Sequence, residues 1–260
     1  MQKLLTRKIV FANRKGGCGK TTTAVNVAHA LAMQNRRVLL VDVDPQAHAT
    51  LSFGISPDEK RRNLFHLLKG DVSVLDIMLP TFSDNLFLIP ASRDLIELEI
   101  SLDTPSFNQT SLAEHLLTLQ TESVKLDYII IDPPPSVGIL SINALVAARE
   151  VFIPMPMHFL AMEGLAEMMR MIYTINASWN SDLRLSGIIP TFLNPNTKIA
   201  KEITTDIQNT FGADKLYPGI RQNITLAEAP GYGKSVLAYA PKSIGSDDYK
   251  VLAQRIDCGQ

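Results

Sequence analysis

The run RKGGCGKTT, from Arg14 to Thr22, constrains what this chain can fold into more than any other stretch. It follows the apolar segment KIVFAN (8–13) and opens an apolar-periodic one. A glycine-rich loop in that strand-to-helix context is a phosphate cradle rather than a mere turn. Gly16, Gly17 and Gly19 let the backbone N–H groups of the run, those of Cys18 and Thr22 included, converge on phosphate oxygens, and the helix N-terminus adds positive potential. Lys20 then reaches the β- and γ-phosphates, and Thr21 offers its hydroxyl to Mg²⁺. Lys15 stands five residues ahead of Lys20, and one nucleotide has no evident need of both.

Further apolar runs suit buried parallel strands: RVLLVDV (37–43), NLFLIPA (85–91), DYIIID (127–132), EVFIPM (150–155) and LSGIIPTFL (185–193). Helical patterns cover 20–34, 111–119, 141–148, 161–176, 197–211 and 247–256. Repeated β–α alternation predicts an α/β fold, a doubly wound and mostly parallel sheet with helices on both faces. The polar stretch 101–109 reads as a mobile connection.

The 260 residues, 46% hydrophobic and 20% charged, are enough to bury a sizeable core as one domain spanning 1–260. A net charge of −1 leaves any nucleic-acid or membrane surface to a local patch. Cys18 and Cys258 are the only cysteines, which argues against a disulfide framework or a zinc or iron–sulfur site and for a cytoplasmic protein. His29, His48, His66, His115 and His158 lack metal-ligand spacing and read as structural or surface residues. The N-terminus has no signal-peptide pattern, and no run reaches the eighteen or so apolar residues of a spanning helix. Met168, Met169, Met171, Ile172 and Ile175 read as core or dimer contacts.

Two further acid-tipped strands complete the nucleotide pattern. VDVDPQ places Asp42 and Asp44 at a strand's carboxyl end, where open α/β sheets bind ligands. Asp44, followed by Pro45, could orient an attacking water, with Asp42 nearer the metal shell. YIIIDPPPS ends its strand in Asp132, as expected of the carboxylate that holds a magnesium-bound water.

The combination of KGGCGKTT (15–22), VDVDPQ (41–46), IIDPPPS (130–136), HFLAMEGL (158–165), NITLAEAPGYGKSV (223–236) and the late YAPKSIGSDDY resembles the ParA/Soj family of partition ATPases over nearly the whole chain. The resemblance implies a P-loop fold with a deviant Walker A loop, ATP and Mg²⁺ as cofactors, and an ATP-sandwich homodimer in which Lys15 crosses to the partner's nucleotide. That would give the second lysine its purpose: a cation with no work at its own site neutralises charge at another. It also implies that GIRQN (219–223) is the adenine-contacting turn, with Asn223 bonding the base and Arg221 standing where relatives often have proline.

The same resemblance implies non-specific DNA binding by the ATP dimer, in the cytoplasm at the nucleoid, and a ParB-like or adaptor partner that stimulates hydrolysis. Lys198, Lys201, Arg221, Lys234 and Lys242 are the candidate DNA contacts, although Asn196, Gln222 and Thr225 stand where an arginine can occur. The loop begins too near the N-terminus for a preceding helix-turn-helix domain, which speaks against operator binding. A MinD-like membrane-associated ATPase is the alternative, but the ending VLAQRIDCGQ lacks a basic amphipathic helix and no membrane anchor is apparent. A metabolic relative would need cluster cysteines or a substrate constellation, and neither is visible.

Overall fold

The computed structural model describes residues 6–57, 61–100, 107–121, 124–158 and 161–259. Most of the 101–109 connection, and residues 159 and 160 of HFLAMEGL, lie outside the described residues.

The strands are β1 (Arg7–Phe11), β2 (Val38–Asp42), β3 (Leu79–Pro80), β4 (Leu86–Ile89), β5 (Tyr128–Asp132), β6 (Glu150–Pro156) and β7 (Arg184–Thr191). They form one seven-stranded sheet in the order β3-β4-β2-β5-β1-β6-β7. Every pairing is parallel except that of β3 with β4. From β1 the chain crosses β5 to reach β2 and later returns to the other side for β6 and β7, so the winding reverses beside β1, the place where such sheets hold ligands.

The central strands are apolar on both faces because helices cover both. Their side chains alternate between two core layers. Val10, Leu39, Val41, Ile129, Ile131 and Val151 face one layer, with Leu116, Leu145 and Met168 from the helices Ser111–Thr121, Ile139–Ala147 and Ala161–Ser178. Ile9, Phe11, Leu40, Ile130 and Phe152 face the other, with Val27 and Leu31 of helix Lys20–Met33 and Leu252 of helix Ile244–Asp257. Helix Lys20–Met33 lies between the sheet and the C-terminal helix, which explains why its residues 23–32 are all buried. Met168, Ile172 and Ile175 are buried core residues, and Met169 and Met171 pack against them half-buried.

Between β2 and β5 the chain also forms short helices that the sequence pattern does not announce, Leu64–Leu68, Val74–Ile77 and Leu95–Ile100. At these lengths periodicity carries no signal, and local caps do the work: Asn63 accepts from the Phe65 N–H, and Ser73 forms a reciprocal capping box with Asp76. β3 is too short for alternation, and its Pro80 sits at the sheet edge, where a missing N–H is tolerated.

Candidate nucleotide site

The loop after β1, Asp132 at the end of β5 and Asp42 at the end of β2 come from three adjacent strands, and the sheet register pairs Asp42 directly with Asp132. The glycine run takes the shape its composition allows. Gly17 (φ 69°) and Gly19 (φ 88°) are left-handed, the latter at the N-cap of helix Lys20–Met33. The loop is held from outside by side chains. Asn13 donates through Nδ2 to Pro154 O (2.8 Å) and accepts from the Lys15 N–H (3.0 Å). Thr191 at the end of β7 donates to Cys18 O (2.9 Å), which puts the carbonyl rather than the buried thiol of Cys18 to use. Lys20 is buried, and its Nζ turns back across the loop to Lys15 O at 3.2 Å.

The three carboxylates are in different environments. Asp42 is fully buried; its Oδ2 accepts from Thr50 N–H (2.8 Å) and Thr50 Oγ1 (2.7 Å), and its Oδ1 from Asp44 N–H (3.2 Å). Burial pushes the carboxyl up to about 7, against the opposing bonds from Thr50. Asp132 is equally buried, and neither of its carboxylate oxygens has a hydrogen-bond partner among the described residues. Burial raises it well above the usual carboxylate range, and neighbouring Asp42 pushes the same way; the Thr21 hydroxyl and Lys20 oppose. Asp44 is also buried, and its Oδ1 accepts from the Gln46 N–H at 2.9 Å, which fixes the turn that leaves β2.

A buried carboxylate with two unpartnered oxygens beside a hydroxyl fits a hydrated divalent cation, and the neighbouring Lys20 ammonium fits the phosphates that cation would share. No group of three or more His, Cys, Asp or Glu side chains among the described residues could hold a metal by itself.

Lys15 folds against the helix Ala161–Ser178, where its Cε comes within 3.2 Å of the place a Cβ on Gly164 would occupy. Arg14 pairs with Glu167 of the same helix at 3.3 Å. Glycine at 164 therefore makes room for the loop's first lysine.

The turn 219–223 lies beside the end of β7, through Leu193 N–H to Ile220 O (2.9 Å) and Ile220 N–H to Pro190 O (2.8 Å). Together with Gly19, Thr22 and Tyr249 it walls a cavity of about 320 Å³ next to the phosphate loop. Asn223 lines this cavity, and its Oδ1 accepts from Thr225 N–H (3.0 Å) and Oγ1 (2.7 Å). The guanidinium of Arg221 is committed to Asp248, with Nη2 to Oδ1 at 2.6 Å. Lys198, Lys201, Lys234 and Lys242 are exposed, Lys198 beside Glu202 at 3.5 Å. Asn196, Gln222 and Thr225 are at or near the surface in the same two segments, which the Leu193–Arg221 bridge sets side by side. Among the described residues no helix is long and apolar enough to cross a membrane.

Sequence reading missed Thr50, Thr191 and Asp248. Thr191 acts across 173 residues on Cys18 and Asp248 across 27 on Arg221, so no local pattern could have pointed to them; Thr50 bonds Asp42 only eight residues back, but from a four-residue helix that leaves no pattern.

A phosphate loop leading into a helix, flanked by acid-tipped parallel strands at the winding reversal, defines a P-loop nucleoside triphosphatase. An AAA-domain family profile matches residues 6–185. The chain is 37% identical over 255 residues to the chromosome partitioning protein ParA of Caulobacter vibrioides (96% of this chain, 93% of that protein). It is 39% identical over 251 residues to the sporulation initiation inhibitor protein Soj of Bacillus subtilis (95% and 97%). It belongs to the ParA/Soj family of partition ATPases. Among solved structures, cobyrinic acid a,c-diamide synthase from Mycobacterium smegmatis with bound ADP and magnesium superposes with a TM-score of 0.79 at 32% identity (96% of this chain, 93% of that one). The ATP complex of Cyanothece McdA superposes at 0.84 with 22% identity (98% of each chain) and shares the fold.

Proposed function

We propose that this protein binds ATP with Mg²⁺, closes into a nucleotide-sandwich homodimer that holds DNA without regard to sequence, and hydrolyses ATP when a ParB-like or adaptor partner engages it. In this reading it works in the cytoplasm at the nucleoid and positions a chromosome, plasmid or other cargo. The observation that carries the proposal is the unpartnered, buried Asp132 beside Lys20 and Thr21 at the mouth of the glycine loop. The loop amides of 16–22 and Lys20 bind the triphosphate, and Thr21, Asp132 and Asp42 hold the hydrated magnesium, which neutralises developing phosphate charge when bound. Asp44 orients the attacking water, Asn223 bonds the adenine, and Lys15 swings from Gly164 to the partner's phosphates. The exposed Lys198, Lys201, Lys234 and Lys242 meet DNA phosphates; Arg221 joins them only by sharing or leaving Asp248.

The test is light scattering with ATP and Mg²⁺ on an Asp44→Ala variant, where slow turnover preserves the dimer, and on the same variant carrying Lys15→Ala. Asp44→Ala alone should dimerise. Adding Lys15→Ala should leave monomeric ATP binding and abolish the dimer, together with salt-sensitive DNA binding. A stable dimer in the double variant would reduce Lys15 to an ordinary loop lysine and sink the sandwich.

A further inference from the structure

We propose that Asp248 is a positioning residue that sets the base-recognition turn, and with it the choice of nucleobase, through its pair with Arg221. The proposal rests on the assignment of Asn223 to the base. Arg221 is paired with Leu193 by an isolated backbone bridge, and one further side chain grips it from the opposite element. Asp248 Oδ2 accepts from the Arg221 backbone N–H at 2.9 Å, and its two oxygens also accept from Arg221 Nε (both 3.1 Å) and Nη2 (2.6 Å). A single carboxylate thus grips the main chain and the side chain of the same residue.

The grip gains its meaning from where Asp248 sits. It is buried on helix Ile244–Asp257, and the next residue, Tyr249, is buried as well, its hydroxyl 3.2 Å from Thr23 Oγ1 on the phosphate-loop helix. Consecutive residues of one rigid helix therefore touch the base turn and the phosphate helix, and they fix the spacing between the two halves of a nucleotide. Arg221 is half exposed, with 48% of its side chain accessible against 10% for Asp248. Water screens the pair, so its value lies in geometry rather than in stability.

Two residues on, the Asn223 amide is oriented as well, because its oxygen is taken by the Thr225 N–H and hydroxyl. That leaves Nδ2 as the donor of a side chain that lines the 320 Å³ cavity. A fixed donor suits the N1 acceptor on adenine's edge and disfavours guanine, which carries a hydrogen there. Loosening the turn at Arg221 would let that amide wander and weaken the preference.

Titration of the full-length Asp248→Asn variant reads this directly. The Kd for ATP should rise about tenfold and the ATP-over-GTP preference fall by about as much, while inorganic tripolyphosphate binds within about twofold of the parent. In steady state KM should rise while kcat is largely kept. Should Asp248→Asn fold poorly, Arg221→Met alters the exposed side of the pair and should produce a smaller shift of the same kind. The double variant should be no worse than Asp248→Asn alone. Equal losses for ATP, GTP and tripolyphosphate, or none at all, overturn the proposal. Asn223→Ala separates the two layers. If it abolishes the base preference while Asp248→Asn keeps it, only the role of Asp248 falls; if it too keeps the preference, the base assignment falls and takes the proposal with it.

Discussion

The central strands carry charge at both ends and treat it in opposite ways. At the amino ends of β1, β5 and β6 the side chains of Arg7, Tyr128 and Glu150 partner one another. Arg7 grips Glu150 with two bonds (2.8 and 2.7 Å), Tyr128 at 3.2 Å and the carbonyl of Ile256. Tyr128 donates on to Asp257 (2.8 Å), which Arg36 also holds through Nε and Nη2, both at 2.9 Å. This network ties the last turn of helix Ile244–Asp257 to the bottom of the sheet. At the carboxyl ends, four residues further along β5, Asp132 is buried with no partner for either oxygen among the described residues. A network of paired charge at one end and an unpartnered buried carboxylate at the other is the contrast expected of a fold whose carboxyl end is left for a ligand. The amino end is built for cohesion, the carboxyl end for binding.

The largest effect should separate the two ends outright. Lys20→Ala removes a buried ammonium at the carboxyl end, and ATP affinity should fall by about a thousandfold or more in titration calorimetry. The nucleotide-free protein should unfold at nearly the parent's urea concentration. Near-normal ATP affinity would overturn the site. Arg7→Ala at the amino end should do the reverse. It strands the largely buried Glu150 carboxylate and should cost about 2–3 kcal/mol of unfolding free energy, with the ATP Kd of the folded chain within about twofold of the parent. If Arg7→Ala harms ATP affinity as much as stability, the ends are one cooperative unit and the division of labour is wrong.

How much of this could be foreseen follows from the range of each signal. The long strands and helices carry their own periodicity, so YIIID and the pattern at 161–176 predict β5 and the helix Ala161–Ser178 to within a residue or two. Asp42 and Asp132 were legible because each ends an apolar run. The Thr50 hydroxyl that holds Asp42 comes from a four-residue helix, too short to leave a pattern. Arg221 was foreseen at the base turn and as a DNA contact, yet its guanidinium goes to Asp248, 27 residues later on an unrelated element. The amino-end network was missed entirely, for Arg7, Tyr128, Glu150 and Asp257 are unremarkable in their own segments and meet only once the sheet is assembled. Local patterns announce elements and strand-end acids; partners chosen by topology stay silent.

The smallest expected effect is the one in which the ends differ in sign. Asp42 in the folded chain sits at about 7, above its ordinary 3.8, because burial favours the neutral acid. A raised carboxyl favours the folded state at low pH, and its contribution is lost as pH rises from about 4 to about 7. Asp257 is lowered instead: burial pushes it up, but the bonds from Arg36 and Tyr128 outweigh that. Its contribution is present above its ordinary value of 3.8 and is lost as pH falls through the lower folded value. Urea midpoints of the nucleotide-free, chelator-treated protein between pH 3 and 8 should therefore decline on both sides for different reasons. Asp42→Asn should flatten the decline toward pH 7, since a neutral amide replaces a buried charge; its NH2 takes the place of one accepting oxygen and faces an N–H donor, so the flattening and not a gain in stability is the readout. Asp257→Asn should flatten the acid limb and lower stability at pH 8 by only about half a kcal/mol, because Arg36 is 43% exposed and water screens the pair. Parallel profiles for the two variants would mean that the carboxyl end does not store the charge of Asp42 at a cost.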